Sequence, residues 1–131
     1  MDNLVLVLIG GGVGSACRYA VSAAAGRLGG AGFPWGTLAV NLLGCLLIGF
    51  VVGLADRALV SRPFRVLLVT GFLGGFTTFS TFALETVRLL EKGKAGAGII
   101  NLLLHNGLGL IAVGAGLGAY WLVRMGLRIS G

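Results

Sequence analysis

The chain has 131 residues, of which 56% are hydrophobic and 11% are charged, and its mean hydropathy is +1.00. A water-soluble domain carries about a quarter charged residues, so the composition excludes one, and the apolar content excludes disorder. Two cysteines are too few for a disulfide scaffold, and 25 glycines with two prolines and no G-X-Y period exclude collagen. The remaining class is a polytopic membrane protein whose helices pack through small residues.

Four apolar stretches are long enough to cross a bilayer, which takes about 20 mostly apolar residues. They are predicted at about residues 3–26, 35–55, 64–90 and 95–123. Tyr120 and Trp121, near the end of the fourth, are expected to be interfacial anchors. The sequence therefore predicts an all-α membrane protein with a single transmembrane domain over residues 1–131.

A net charge of +6 is compatible with nucleic-acid binding, but the placement of the basic residues is not. They form short clusters between the apolar stretches, as in loops that meet anionic lipid headgroups. The clusters are Arg57, Arg62 and Arg65, then Arg88, Lys92 and Lys94, then Arg124 and Arg128. We expect membrane lipids and no nucleic acid as partners.

The charge balance bears on topology, because an even number of spans places both termini on one side of the membrane. That side holds five basic residues, which are those of the first and third clusters. The opposite side holds four, which are those of the second cluster and Arg27. Charge at the span ends could still fix one orientation. We favour insertion in both orientations, which gives antiparallel dimers.

Glycines spaced four apart recur along the chain and predict close helix packing. The pairs are Gly10/Gly14, Gly49/Gly53, Gly71/Gly75 and Gly114/Gly118. Four such helices are too few to enclose a permeation path comfortably, so we expect an oligomer.

Known catalytic and cofactor constellations are absent from the sequence. The glycines between residues 10 and 14 imitate a dinucleotide fingerprint, but no βαβ unit or acidic residue about 20 positions later follows. Cys17, Cys45 and the single histidine, His105, have no metal-ligand spacing. We therefore expect no enzyme.

Two ionisable residues inside the spans are exceptions in an apolar interior. Arg18 lies midway along the first span, where we interpret it as a structural residue that satisfies backbone carbonyls. Glu85 lies toward the end of the third span, one turn after a polar cluster, and both a structural and a functional interpretation remain open.

The middle of the third span, residues 71–82, is a poor helix. Gly74 and Gly75 precede Thr77 and Thr78, and glycine costs about 1 kcal/mol relative to alanine in a helix interior. We predict that the helix is broken there. The freed carbonyls would need partners in lipid, which a coordinated cation or a polar cavity supplies.

Phe76, Phe79 and Phe82 recur at a spacing of three residues around this break. They form either a packed aromatic stripe or a path lined by ring edges and hydroxyl groups. The second alternative suits an anion, because hydroxyl groups, amides and the positive edges of rings can replace its hydration shell. Asn41, alone among apolar neighbours in the second span, would add an amide donor.

At three places the chain resembles the Fluc (CrcB) family of bacterial fluoride channels. The matching motifs are Gly11-Gly-x-Gly-Ser-x-x-Arg18-Tyr19, Gly36-Thr-Leu-x-Val-Asn41-x-x-Gly44, and Gly74-Gly-Phe-Thr-Thr-Phe-Ser-Thr-Phe82 with Glu85 beyond it. The resemblance covers nearly the whole chain, and the third motif is long and specific.

The resemblance implies a dual-topology homodimer in the bacterial inner membrane that passes fluoride out of the cytoplasm through two antiparallel pores. It implies an anion path lined by Phe79, Phe82 and Asn41 and extended by Ser80, Thr81, Glu85 and His105. It also implies a central sodium ion that is structural and is held by the backbone carbonyls of Gly74 and Thr77 from both subunits.

Two positions on the fourth span differ from the family pattern. Members often carry pore-facing hydroxyl residues one and two turns after the position of His105, where this chain has Gly109 and Val113. Water and backbone groups could serve instead, conduction could be weak, or a paralogous subunit could supply the hydroxyls.

Two other functions compete with a channel. A four-span multidrug exporter needs a carboxylate within its first span, and this chain has none there after Asp2. A non-conducting scaffold, in which Phe79 and Phe82 belong to the core, is the third alternative.

Overall fold

A computed structural model describes residues 2–55 and 60–129, and every regular element within these ranges is helical. Four helical spans in this part of the chain are long and apolar enough to cross a membrane. The first helix is Asn3–Gly29 and the second is Trp35–Ala55. The prediction of an all-helical chain with four spans is confirmed, and the second span has the predicted bounds.

The third span consists of two arms. The N-terminal arm begins at Arg62–Arg65, continues as a π-helical segment at Val66–Leu73 and ends with the α-helical turn Gly74–Phe76. The C-terminal arm is the α-helix Phe79–Glu91. The two arms together extend one or two residues beyond the predicted bounds of 64–90.

The fourth span is one long helix with a wider turn inside it. It runs as α-helix over Ala95–Leu103, as π-helix over Leu104–Leu108 and as α-helix again over Gly109–Ile129. It therefore ends later than the predicted residue 123. Short π-helical turns are frequent at functional sites, and this one contains His105.

Glycines with positive φ end two of the helices. The first helix continues to Gly29, beyond the predicted residue 26, and Gly30 at φ 77° ends it. Gly93 at φ 70° follows the C-terminal arm, where the N–H of Gly93 donates to Leu90 (3.0 Å) and that of Lys94 donates to the carbonyl at position 89 (2.9 Å). This pair of bonds is a Schellman motif, which needs a left-handed residue that glycine adopts without strain.

The first helix packs against the N-terminal arm through glycine on both sides. A Cβ at Gly10 would lie 3.0 Å from the Cα of Gly71, and a Cβ at Gly75 would lie 2.9 Å from the Cα of Gly11. A Cβ at Gly14 would overlap the carbonyl group of Phe72. The predicted pairs at positions 10/14 and 71/75 thus lie in one interface within the chain.

The second helix packs against the fourth span in the same way, with one difference from the prediction. A Cβ at Gly49 would overlap the Val113 carbonyl, and one at Gly116 would overlap the Leu46 carbonyl. Gly114 and Gly118 have no neighbour within 4 Å in the single chain. Their predicted close packing is therefore absent within the chain, because Gly116 lies on the face that meets the second helix.

The two aromatic residues near the end of the fourth span lie in different environments. Trp121 is exposed and the Arg124 guanidinium lies 5.0 Å from its ring centroid, as expected for an interfacial anchor. Tyr120 is buried, because the absence of a side chain at Gly53 lets its ring pack against the second helix. The ring of Tyr120 thus packs inside the chain, and its depth in the membrane stays a prediction.

The outward surface of the helices is apolar, with exposed residues such as Leu8, Leu110 and Leu122. Such a surface suits contact with lipid chains. Arg57, one of the basic residues counted for the topology, lies outside the described residues. The structure therefore does not test its place in that count.

Candidate functional site

The third span loses helical geometry at two consecutive threonines. Thr77 has φ −78° and ψ 158°, and Thr78 has φ −150° and ψ 110°, both extended. The N–H and the hydroxyl of Thr77 both donate to the carbonyl of Leu73, at 3.0 and 2.9 Å. Gly74 and Gly75 stay helical, so the chain leaves the helix three residues later than the first glycine of the run.

Asn41 of the second helix replaces the hydrogen bonds that the backbone of Thr78 loses. The N–H of Thr78 donates to Asn41 Oδ1 at 2.8 Å, and Asn41 Nδ2 donates to the Thr78 carbonyl at 3.0 Å. The side-chain amide therefore pairs with Thr78 as a neighbouring strand would. Since Thr78 is buried, both bonds satisfy groups that have no access to bulk water.

The hydroxyl of Thr78 starts the C-terminal arm as its N-cap. It accepts from the N–H of Thr81 at 3.3 Å and donates to the hydroxyl of Thr81 at 2.9 Å. The hydroxyl of Ser80 lies 3.4 Å away. A threonine that caps at this position leaves the first N–H groups of a new helix pointing toward the break.

The first helix supplies partners for two more carbonyls near the break. The Ser15 hydroxyl donates to the carbonyl of Gly75 at 3.4 Å, and Arg18 Nη1 donates to that of Thr77 at 3.5 Å. Both bonds are long. In this structure the carbonyls of Gly75, Thr77 and Thr78 thus meet side-chain donors. Coordination of the freed carbonyls by a cation stays a prediction.

A cavity of about 350 Å³ opens beside the break. It is lined by polar residues of the second helix and the break and by apolar and aromatic residues of three spans: Asn41, Gly44, Cys45, Ile48, Leu73, Gly74, Thr77, Thr78, Phe79, Phe82, His105 and Asn106. Of the residues predicted for the anion path, the cavity brings together Asn41, Phe79, Phe82 and His105. Ser80 and Thr81 adjoin it through the Thr78 hydroxyl.

The rings of Phe79 and Phe82 meet edge to face at this cavity. The centroids of Phe79 and Phe82 are 5.5 Å apart with 62° between the ring planes, and His105 lies 4.3 Å from Phe82. Phe82 is buried, whereas Phe79 is 79% exposed. Phe76 does not belong to this group, because the break separates it from the later rings and it stacks on Phe72 at 5.7 Å.

Glu85 lies one turn beyond Phe82 and faces a second cavity of about 290 Å³. The Thr37 hydroxyl donates to Glu85 Oε1 at 2.9 Å, while Oε2 is buried without a hydrogen-bond partner among the described residues. Arg88, Lys92 and Lys94 also line this cavity. A carboxylate in the middle of the C-terminal arm thus faces a cavity that three basic side chains also line.

Gly109 and Val113, the two positions of the fourth span that depart from the family pattern, lie against the second helix. A Cβ at Gly109 would lie 3.6 Å from Cys45 Sγ, and the Val113 carbonyl packs against Gly49. Both positions therefore contact the second helix, and neither lines the cavity beside the break.

The carbonyls of Gly74 and Thr77, the expected sodium ligands, differ in how well they fit a cation. In an unbroken helix the N–H of Thr78 would bond to the carbonyl of Gly74, an exposed residue, but here it bonds to Asn41 and leaves that carbonyl without this partner. The Thr77 carbonyl already accepts a hydrogen bond from Arg18 Nη1 at 3.5 Å. A hard cation takes about six oxygen ligands, so these two carbonyls are too few to hold one within a single chain.

Comparison with known proteins decides the family. Residues 5–117 match the family model described as CrcB-like protein, Camphor Resistance (CrcB). The chain belongs to the CrcB family. It is 51% identical over 118 residues to a protein of Rhizobium etli, covering 89% of this chain and 94% of the relative. It is 44% identical to a protein of Salinibacter ruber over 118 residues, covering 90% of this chain and 89% of the relative.

A third relative, from Clostridium perfringens, is 44% identical over 117 residues, covering 86% of this chain and 91% of the relative. All three relatives are named fluoride-specific ion channel FluC. With its four apolar helical spans, this member of the CrcB family is a multi-pass membrane protein.

Sequence reasoning missed three side chains that organise the site. Thr78 caps the C-terminal arm, Thr37 orients Glu85 and Ser15 bonds to Gly75. The cap could have been found, because a threonine before a new helical stretch is a standard N-cap signal. The other two bonds join positions 48 and 60 residues apart, which no local pattern connects.

Proposed function

We propose that the chain is the subunit of a fluoride-selective channel that exports cytoplasmic fluoride passively. The names of its relatives support fluoride as the ion. The observation that carries the proposal is the break at Thr77 and Thr78, which opens onto a cavity lined by Phe79 and Phe82. We place this break near the middle of the bilayer.

The cavity offers an anion neutral groups in place of water. Moving a small anion into an apolar medium costs tens of kcal/mol by Born estimate unless donors replace its hydration shell. The C-terminal arm has 13 residues, and its N-terminal N–H groups and positive dipole end meet the cavity at Phe79. One N–H of Asn41 remains beyond its bond to Thr78, and the rings present their positive edges. Neutral donors bind an anion weakly enough for it to leave again.

The basic side chains around Glu85 would act at the entrance. Arg88, Lys92 and Lys94 raise the local concentration of anions at the cavity that they line. Glu85, held by Thr37 and one turn from Phe82, would extend the polar track from this entrance toward the rings. Ser80, Thr81 and His105 complete the set of groups along the path.

The path is incomplete in one chain. Gly74, Phe79 and Ser80 are exposed residues at or next to the break. Polar backbone does not face lipid within the hydrocarbon region, so another protein surface or water must cover this region. We propose that a second copy in antiparallel orientation covers it and that the dimer encloses two pores. The nearly equal basic charge of the two sides supports dual insertion.

A structural sodium ion would lie where the two copies meet. The Gly74 carbonyl, which has lost its helical partner, and the Thr77 carbonyl would hold it together with the same groups of the second copy. The ion would neutralise carbonyl dipoles at the centre of the dimer. The site belongs to the assembly in the bacterial inner membrane, and fluoride does not pass through it.

Fluoride efflux from sealed liposomes that contain the purified chain tests this function. A potassium ionophore removes the membrane potential, and a fluoride electrode follows release. We expect rapid release without a proton gradient, and no release through Phe82→Ile reconstituted at the same density. Absence of release by the wild-type chain, in samples shown to be folded dimers, would overturn the proposal for the homodimer.

The same liposomes distinguish the alternatives. Proton-dependent efflux of an organic cation with no fluoride release would indicate an exporter, although the first helix contains no carboxylate. Release only after co-reconstitution with a paralogous CrcB chain would indicate a heterodimer. No transport under any of these conditions would indicate a scaffold.

A further inference from the structure

A buried polar connection joins the C-terminal arm to the fourth span beside the cavity. Asn101 is 0% exposed and Thr86 is 5% exposed. Asn101 Nδ2 donates to Thr86 Oγ1 at 2.8 Å, and Thr86 Oγ1 donates to the carbonyl of Phe82 at 2.8 Å. Neither residue lines the cavity, and the anion path proposed above uses neither.

The directions of these bonds follow from the number of hydrogens. The Thr86 hydroxyl has one proton, which the Phe82 carbonyl takes because a carbonyl can only accept. Thr86 must therefore accept from Asn101, which fixes the side-chain amide with its NH₂ group toward Thr86. Asn101 Oδ1 is then buried without a partner among the described residues.

The backbone carbonyl of Asn101 contacts His105, which lines the cavity. The carbonyl oxygen lies 3.0 Å from His105 Nδ1, and because the carbonyl accepts, Nδ1 carries the proton. The His105 ring packs on Phe82 with centroids 4.3 Å apart. The four residues thus form a closed circuit: Asn101 to Thr86, Thr86 to Phe82, Phe82 to His105, and His105 back to Asn101.

We propose that Asn101 and Thr86 are positioning residues that hold the Phe82 ring against His105 in the wall of the anion path. The proposal rests on the proposed function. Within the described chain the C-terminal arm packs mainly on Ala95–Leu103, the segment that contains Asn101. Apolar helices in lipid have no hydrophobic force to fix their register, so an interhelical hydrogen bond between buried side chains sets it. The register in turn sets where Phe82 meets His105.

Single substitutions measure the effect on conduction. Thr86→Val removes the hydroxyl at constant shape, and Thr86→Ser keeps the hydroxyl. We expect fluoride flux through Thr86→Val to fall about tenfold or more, because a displaced Phe82 ring replaces the anion's hydration shell less well; tenfold corresponds to about 1.4 kcal/mol in the barrier. We also expect its preference for fluoride over chloride to fall. Thr86→Ser should retain both flux and selectivity.

The double variant Thr86→Val with Asn101→Leu separates positioning from stability. It replaces both partners by apolar groups of similar shape, so no buried polar side chain of the pair is left unpaired and thermal stability should return toward wild type. We expect flux and selectivity to stay low, because no bond fixes the register. Recovery of flux together with stability would show a merely structural role and overturn the proposal.

A spectroscopic measurement decides the proposal independently of conduction. The chain contains one histidine, so the ring signals of ¹⁵N-histidine-labelled protein in detergent all belong to His105. We expect an Nδ1–H tautomer and ring protons shifted by the neighbouring Phe82 in wild type, with the shift reduced in the double variant. An unchanged shift would refute the positioning role. Wild-type liposomes without fluoride flux would refute the proposed function and leave this shift as the test of positioning.

Discussion

Replacing Asn41 by leucine removes both hydrogen bonds between its side chain and the break and tests whether the second helix organises the break. In Asn41→Leu the N–H and the carbonyl of the buried Thr78 lose partners at 2.8 and 3.0 Å. An unsatisfied buried group costs about 1–3 kcal/mol, so we expect the free energy of unfolding to fall by about 2–6 kcal/mol. Fluoride flux should be abolished.

Asn106→Leu is the matched control for stability. Its amide is exposed and donates to the carbonyl of Leu102 in its own helix at 2.8 Å, so the same change leaves no buried group unpaired. We expect a change within about 0.5 kcal/mol. Thermal unfolding in detergent and fluoride efflux from liposomes measure the two effects. Equal stability of Asn41→Leu and Asn106→Leu, with normal flux in Asn41→Leu, would refute the role assigned to Asn41.

Asn41→Asp covers the case in which the leucine variant does not fold. The carboxylate still accepts from the N–H of Thr78 and loses only the bond to the Thr78 carbonyl. At about 5 Å and an effective dielectric of about 20, it opposes a passing anion by about 3 kcal/mol, which is about a hundredfold in rate. A folded, fully active Asn41→Asp would contradict the assignment of Asn41 to the path.

Three further results are expected. Phe79→Ile and Phe82→Ile should each abolish fluoride flux in liposomes while gel filtration shows an intact dimer, and normal flux in both would remove the rings from the path. Gly44→Ala places a methyl group against the Thr77 methyl and should lower the free energy of unfolding by about 1–3 kcal/mol. Gly96→Ala, which has open space around it, is the control and should not lower it. Equal thermal stability of the two variants would exclude tight packing at the break. Replacing sodium by a large organic cation at constant ionic strength should lower the unfolding midpoint of the dimer, and an unchanged midpoint would argue against the sodium site.

The helical architecture follows from the sequence because hydropathy and short loops are local properties. The second helix starts after Pro34 and has the predicted bounds. The glycine-rich faces of the first and third spans pack closely, as their spacing predicts, but the spacing does not indicate which span is the partner. The ends at Gly29 and Ile129 lie beyond the predicted ends. Periodicity does not show where a helix frays, so boundaries are the weaker part of such predictions.

The site is less predictable, because distant residues determine its geometry. The glycine and threonine run indicates a weak helix, but Asn41 fixes the non-helical geometry at Thr78 from another span. The equal spacing of Phe76, Phe79 and Phe82 suggests one stripe, yet the break places Phe76 on a different neighbour. A three-residue period predicts a common face only in a continuous helix.

Buried polar pairs between spans are the part that sequence reasoning could not supply. The bond from Thr37 to Glu85 and the bond from Asn101 to Thr86 join residues 48 and 15 positions apart. Each residue alone is compatible with a solvated, lipid-facing or buried position. Only the packing of the spans shows that these side chains meet.

The reversal potential in planar bilayers that contain this chain alone, with fluoride and chloride on both sides in opposed concentration gradients, tests the central claim most directly. If neutral donors and ring edges at the break carry the ion, the current reverses close to the fluoride equilibrium potential and does not depend on a proton gradient. A reversal potential set by chloride or by protons would contradict the account.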